Sequence, residues 1–333
     1  MNGERQLISS YKFLWNGADI TSTLNIKSIS IDDDMGLEAD SMEIVLYNED
    51  NKYLDYFVQG DDVKIDFVFD NGKTFSTGLF FVATIGGIIG SNNEHRLGLI
   101  SVPMDSPGIR NQMSYARKNV TLKTLLSDVC KKANLVLVYR LMRNPALPWN
   151  IKLKNVSHTD EKVGEIITEY ASTFNVILKI HNEQLIFSDK KSYLLDPPVY
   201  TFNPYSDPIE DFTYEMNWNL YSQYDVKYYN PKTGMVTSDK KTKKSTITTK
   251  SETIKKINSK ISDPDMARAI AMSVDDQFEF RVSFSTYDNP DLVAGNVVMI
   301  TDLGNFSGPY LITKSSHDYQ TSWKDTIEAI SLF

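Results

Sequence analysis

The sequence has one cysteine, Cys130, among 333 residues. An internal disulfide is therefore excluded, and no Cys-x-x-Cys or Cys/His spacing suggests a zinc site. The residue reads as a small buried apolar side chain on a helix. Long hydrophobic runs are missing too. The longest, Leu79 to Ile89, is broken by Gly86 and Gly87 and falls well short of the roughly 18 residues that span a bilayer. The N-terminus, Met1 to Gln6, lacks the apolar core of a secretory signal. The chain is expected to be soluble and made in the cytoplasm, which makes the sequons at Asn119, Asn155 and Asn305 chance matches. Excess positive charge is also absent: 35 Lys and Arg stand against 43 Asp and Glu, a net charge of -8, the wrong sign for gripping phosphate backbones.

Catalytic signatures are equally scarce. There is no Gly-x4-Gly-Lys-Ser/Thr, no Gly-x-Gly-x-x-Gly after a strand and no His-Glu-x-x-His. Gly304-Asn-Phe-Ser-Gly308 is no nucleophile elbow, because its serine comes one place late. His95, His158, His181 and His317 are isolated and read as surface or turn residues rather than ligands. Asp32-Asp33-Asp34 offers clustered carboxylates of the kind hard cations use, but lacks the further ligands of a calcium loop; a solvated turn before Met35-Gly36 is the simpler reading. No catalytic, cofactor-binding or metal-ligating residue is expected.

What is present is β patterning. Met42, Ile44 and Leu46 alternate, as do Val63, Ile65, Phe67 and Phe69, and the dipeptides Asn16-Gly17 and Asn71-Gly72 suit hairpin turns with two positive φ angles. Residues 1–106 read as an antiparallel barrel-like or sandwich-like module. From Pro107 the period changes. Leu122, Leu125, Leu126, Val129, Cys130 and Ala133 predict a helix capped near Asn119 or Thr121. Val163, Ile166, Ile167, Tyr170, Ala171 and Phe174 predict a second, with Thr159 as N-cap, followed by a short hairpin about Asn182-Glu183. Residues 107–196 are thus a small α/β unit closed by Asp196-Pro197-Pro198. Alternation resumes at Phe212, Tyr214, Met216, Trp218 and Leu220, opening a second β module over 197–333. Within it, the Lys/Ser/Thr-rich stretch 239–260 (an insertion of about 239–262) reads as a solvated loop or long exposed hairpin; it has no aromatic on which a base could stack. Asp263-Pro264 starts a helix expected to reach Asp275.

The two β modules share an order of short blocks. Asp50-Asn51-x-x-Leu54, Gly60-Asp61 and Phe75-Ser-Thr-Gly78 recur as Asp288-Asn289-x-x-Leu292, Gly295-Asn296 and Phe306-Ser-Gly308, each series ending in a further strand. Any two hairpins share Gly turns and alternation. That alone does not explain the paired blocks.

These residues also carry a family resemblance. Tyr11-x-Phe-x-Trp-Asn-Gly-Ala-Asp-Ile20, Ala39-Asp-Ser-Met-Glu-Ile-Val-Leu46, Lys118-Asn-Val-Thr-Leu-Lys-Thr-Leu125, Ala294-Gly-Asn-Val-Val298 and Gly308-Pro-Tyr-Leu-Ile312 are similar, in order and spacing over nearly the whole chain, to the phage late-control protein D family. Its members are tail and baseplate hubs of contractile phages, R-type bacteriocins and related contractile injection systems. The resemblance implies a mainly β fold with an α/β insertion: two tail-tube-like antiparallel β-barrel domains plus a small α+β domain. It implies a homotrimer about an axial channel, whose six modules match a hexameric tail tube on one face and a trimeric spike on the other. The partners implied are the tail tube protein, a separate central spike protein, baseplate proteins and, as a further candidate, the tape-measure protein. The place is the tail tip of a virion or bacteriocin particle assembled in the host bacterial cytoplasm. No cofactor, specific nucleic-acid binding or enzymatic activity is implied, and no appended spike or lysozyme domain fits before Phe333. A carbohydrate-binding or adhesin β-module and a peptidoglycan hydrolase are the alternatives. Net charge further suggests a neutral or acidic channel wall, with the Lys-rich segment away from it.

Overall fold

Alternation in the first third becomes eight strands: β1 (Ile8–Trp15), β2 (Ala18–Asp19), β3 (Ile26–Asp34), β4 (Ser41–Tyr47), β5 (Asp62–Phe69), β6 (Thr74–Ser76), β7 (Phe80–Ile88) and β8 (Glu94–Ile100). Along β5 the period is strict, with Val63, Ile65, Phe67 and Phe69 buried between partly exposed neighbours. The β1–β2 hairpin turns on Asn16 and Gly17 at φ 47° and 77°. At the second dipeptide only Gly72 has positive φ, 78°. The loop there spans three residues, closed by Phe69 N–H donating to the Lys73 carbonyl at 2.9 Å, so a single left-handed residue suffices. The computed structural model describes residues 8–37, 39–49, 51–90, 93–101, 108–140, 152–174, 176–181, 184–218, 223–230, 235–242, 254–258, 278–320 and 322–333. Asp50, Leu220 and the helix expected from Asp263 to Asp275 lie outside these.

The middle of the chain holds β9 (Gln112–Thr121), α1 (Leu122–Lys132), β10 (Val136–Arg140), β11 (Lys152–Lys162), α2 (Val163–Phe174), β12 (Ile177–His181) and β13 (Gln184–Ser188). Thr121 caps α1, its hydroxyl accepting from Thr124 N–H at 3.1 Å. Thr159 caps nothing. It belongs to β11, whose ladder with β9 continues to Lys162, and α2 starts only at Val163, where Glu165 accepts from the Lys162 amide. β12 and β13 pair antiparallel as expected, with Asn182 and Glu183 outside the described residues, and β10 adds in parallel to β13. The apolar faces of both helices share one core with Leu185 and Phe187. Cys130 lies in it, and burial pushes its thiol up to about 12.

The last segment contributes β14 (Tyr200–Phe202), β15 (Glu210–Trp218), β16 (Gln223–Asn230), β17 (Met235–Thr242), β18 (Ile254–Asn258), β19 (Phe278–Tyr287), β20 (Val297–Ile300), β21 (Gly308–Tyr319) and β22 (Trp323–Ser331). Parts of the Lys-rich stretch are strands: β17 and β18 flank β16 in a separate sheet, one antiparallel and one parallel to it.

The fold is mainly β, with a small helical part. One fourteen-stranded sheet runs β15-β19-β22-β21-β3-β4-β8-β7-β5-β1-β2, with β20 on β21, β14 on β20 and β6 on β5. Within it the two β-rich segments have the same pairing order, β3-β4-β8-β7-β5-β1 and β15-β19-β22-β21-β20-β14. They differ at the end, where β1 joins β5 antiparallel and β14 joins β20 parallel. The two are continuous through β21 and β3, paired from Lys314 opposite Asp34 to Tyr319 opposite Ile29. Just past that seam Trp323 is wholly buried among Phe67, Phe69 and Phe75, so β22 supplies a ring to the core of the first segment.

Candidate assembly core and three-unit junction

The equivalent strands agree in their irregularities. Gly60 and Gly295 both have φ 94°, a conformation that L side chains rarely adopt. Gly60 N–H donates to the Val82 carbonyl and Gly295 N–H to the Ile312 carbonyl, both at 2.9 Å. In return Val82 and Ile312 donate to Asp61 and Asn296, again at 2.9 Å. Directly afterwards both strands bulge, β7 between Val82 and Thr84 against β8, and β21 between Ile312 and Lys314 against β22. Gly78 and Gly308 each stand four residues before the paired Val82 and Ile312, with φ 76° and 152°. A Cβ on Gly308 would lie 2.4 Å from the Phe333 ring.

The other paired block divides. Asn51 and Asn289 each accept from the leucine three residues on. Leu54, however, is 51% exposed, whereas Leu292 is fully buried. The core place matching Leu292, three residues before the shared glycine, is taken by Phe57, so Leu54 is not its counterpart. The first connection is the longer of the two, and its extra residues carry Leu54 outward.

Three histidines are buried rather than superficial, because each sits on the inward side of a strand. His95 on β8 stacks on Phe57 at 6.2 Å between ring centres, and burial lowers its pKa. His317 on β21 lies in a chain whose Nδ1 meets Asp325 Oδ1 at 2.6 Å and whose Nε2 meets Ser315 Oγ at 3.2 Å. The order Ser-His-Asp is that of a nucleophilic triad, a pattern invisible in sequence because cross-strand pairing creates it. Its placement serves another purpose. All three residues are buried, the Ser315 hydroxyl donates to the Leu292 carbonyl, and Asp325 also accepts from Trp323 Nε1 and the Asn289 amide. The network fastens the Asp288–Leu292 turn and the buried tryptophan to the sheet.

Asp32-Asp33-Asp34 is not a solvated turn, because it forms the end of seam strand β3. Asp32 accepts from the Ser316 hydroxyl, and Asp34 lies 3.8 Å from Lys314 Nζ. Asp33 meets Lys179 Nζ at 2.6 Å and the Ala294 amide at 2.9 Å, and Lys179 also donates to the Ala294 carbonyl at 2.7 Å. The cation this carboxylate holds is therefore the chain's own ammonium. Lys179 comes from the middle of the chain, Asp33 from its first third and Ala294 from its last segment, so three distant stretches of sequence meet here. Burial raises the Asp33 pKa; Asp40 adds to the shift, and Lys179 and the amide oppose it. A cavity of about 410 Å³ opens at this junction, lined by Arg140, Tyr193 and Phe80 among others.

No family model matches the sequence, and no curated protein matches it. Solved structures do. A tail protein from Neisseria meningitidis superposes with a TM-score of 0.67 at 14% identity, over 97% of both chains. A 43 kDa tail protein of prophage MuSo2 from Shewanella oneidensis gives 0.67 at 11%, over 97% of this chain and 99% of that one. A type VI secretion system component of E. coli, itself described as similar to T4 bacteriophage tail proteins, gives 0.55 at 12%, over 92% of this chain and 74% of that one. The fold is thus one found in phage tail proteins and type VI secretion components, and it spans essentially the whole chain.

Proposed function

We propose that this chain is a structural hub of a phage-type tail or contractile injection particle, a trimer whose ring joins a hexameric tube to a threefold spike and anchors the baseplate. The carrying observation is that its two β segments share one pairing order, one left-handed glycine and one bulge. Two alike segments per chain are what a threefold object needs to present six alike positions. The near-complete overlap with phage tail proteins supports the same reading. On it, residues 1–106 and 197–333 are the two tube-like modules and 107–196 the insertion. Gly60, Gly78, Gly295 and Gly308 set their common backbone, and tube, separate spike and baseplate proteins are the partners. The sheet path is open, ending at β15 and β2 among the described residues, so its end strands are available to neighbouring subunits. Exposed Ile85, Ile88 and Ile89 on the β7–β8 hairpin supply apolar surface for such contacts. The buried Ser315-His317-Asp325 chain has no access for substrate, which favours assembly over catalysis. Light scattering and electron microscopy test the reading. The expected result is a trimeric ring with pseudo-sixfold symmetry; a monomer both alone and with tube and spike partners overturns it.

A further inference from the structure

In the α/β unit, β11 breaks register with β9 between His158 and Glu161, and Asp160 within the break has φ 50°. Residues three apart on an unbroken strand point to opposite faces. The bulge re-aims Glu161 onto the His158 face, where its Oε2 lies 2.9 Å from His158 Nδ1. Helix α2 starts directly after this strand and brings Glu169 and Tyr170 over the same imidazole, with the Tyr170 hydroxyl 3.3 Å from Nε2. One donor atom each from His158, Glu161 and Glu169 falls within 4.8 Å of the others.

His158 is buried, Glu161 half-exposed and Glu169 exposed, which makes a site with a closed floor and an open mouth. Among the described residues neither carboxylate is ion-paired with lysine or arginine, and adjacent Lys162 faces Glu165 instead. Two like charges thus converge on one imidazole, an arrangement that a divalent cation relieves.

We propose that His158, Glu161 and Glu169 bind one divalent transition-metal ion, with zinc the ion the donor set fits. One nitrogen and two carboxylate oxygens suit a four-coordinate borderline ion with water in the fourth place, whereas calcium and magnesium prefer six or more oxygens. Ligands at about 2.0–2.2 Å from zinc stand roughly 3.3 Å apart, so the exposed Glu169 side chain has only to close inward. The ion would pin the bulge of β11 to α2 and stiffen the insertion. This site stands independently of the hub reading.

The test uses the whole chain, stripped with a chelator and titrated with zinc chloride. Calorimetry is expected to show one equivalent bound, with a rise in unfolding temperature that magnesium does not reproduce. Glu161→Gln and Glu169→Gln change side chains that reach solvent, so both variants are expected to fold; each is expected to weaken zinc binding at least tenfold. Cobalt(II) in place of zinc should give visible absorption bands that both variants lose. Absence of binding by the parent chain, undiminished binding by both variants, or an equal response to magnesium overturns the proposal.

Discussion

Asp61 is a carboxylate whose charge is held by neighbours rather than by a counterion. Its Oδ2 accepts from Trp15 Nε1 and the Val58 amide, both at 2.8 Å, and its Oδ1 from Asn16 Nδ2 at 2.9 Å. Burial opposes ionisation, but the three hydrogen bonds together win and lower the pKa below 3.8. A lowered folded-state pKa contributes stability above the unfolded value, and that contribution is lost as pH falls through the folded value. Urea midpoints measured from pH 7 downward should therefore show an acid-side loss, beginning near pH 4, part of which Asp61→Asn lacks; parallel profiles would contradict this. Asp325 is the harsher case. Asparagine there offers one acceptor oxygen and turns an N–H2 towards a donor, so Asp325→Asn should cost about 2–4 kcal/mol in equilibrium unfolding. The role of neither residue was legible in sequence. Asp61 reads as half of a Gly-Asp turn, and Asp325 meets His317 only once β21 and β22 have paired.

At the scale of elements, legibility followed periodicity. β5 and α1 appear where their apolar spacing puts them, because burial of one face dominates. β9 and β11 were missed, since Gln112–Thr121 and Lys152–Lys162 are mostly polar and bury only the widely spaced Tyr115, Val120, Leu153 and Val156, too sparse for a readable alternation. The same ladder took Thr159 from its expected cap. The Asp32-Asp33-Asp34 run was misread for a related reason: a strand end rich in carboxylates looks solvated until the strand that covers it is known. The β21–β22 hairpin matters most here. Trp323 lies 5.0 Å from Phe67 and 5.5 Å from Phe69, ring centre to ring centre, in T-shaped contacts. Trp323→Ala should cost about 3–5 kcal/mol. Hydrogen exchange should rise in β5, distant in sequence, as well as in β22; a rise confined to β22 would show that the cores are independent.

For the molecule as a whole, the Asp33–Lys179–Ala294 junction is where three stretches of chain are tied. Lys179→Met leaves Asp33 buried without its cation and should cost about 3–5 kcal/mol; adding Asp33→Asn should recover much of that loss. Additive losses in a double-mutant cycle would show that the two side chains do not interact. The β character of the two end segments was legible, from the alternation of Val63 to Phe69 and of Phe212 to Trp218. Their fusion into one sheet was not, because nothing local to Ile29–Asp34 points to a partner near residue 314.

That seam also sets a timetable for synthesis. A ribosome releases β1 to β8 long before it has made residue 323, and until then Phe67, Phe69 and Phe75 face an unfilled place in their own core. The N-terminal segment therefore emerges with apolar surface uncovered and an unpaired β3 edge. Its final closure waits on a contact nearly the length of the chain away, the kind of non-local pairing that slows folding. A nascent chain halted before β21 should accordingly be sensitive to protease in its N-terminal segment and bound by chaperones, although every residue of β1 to β8 has already been made.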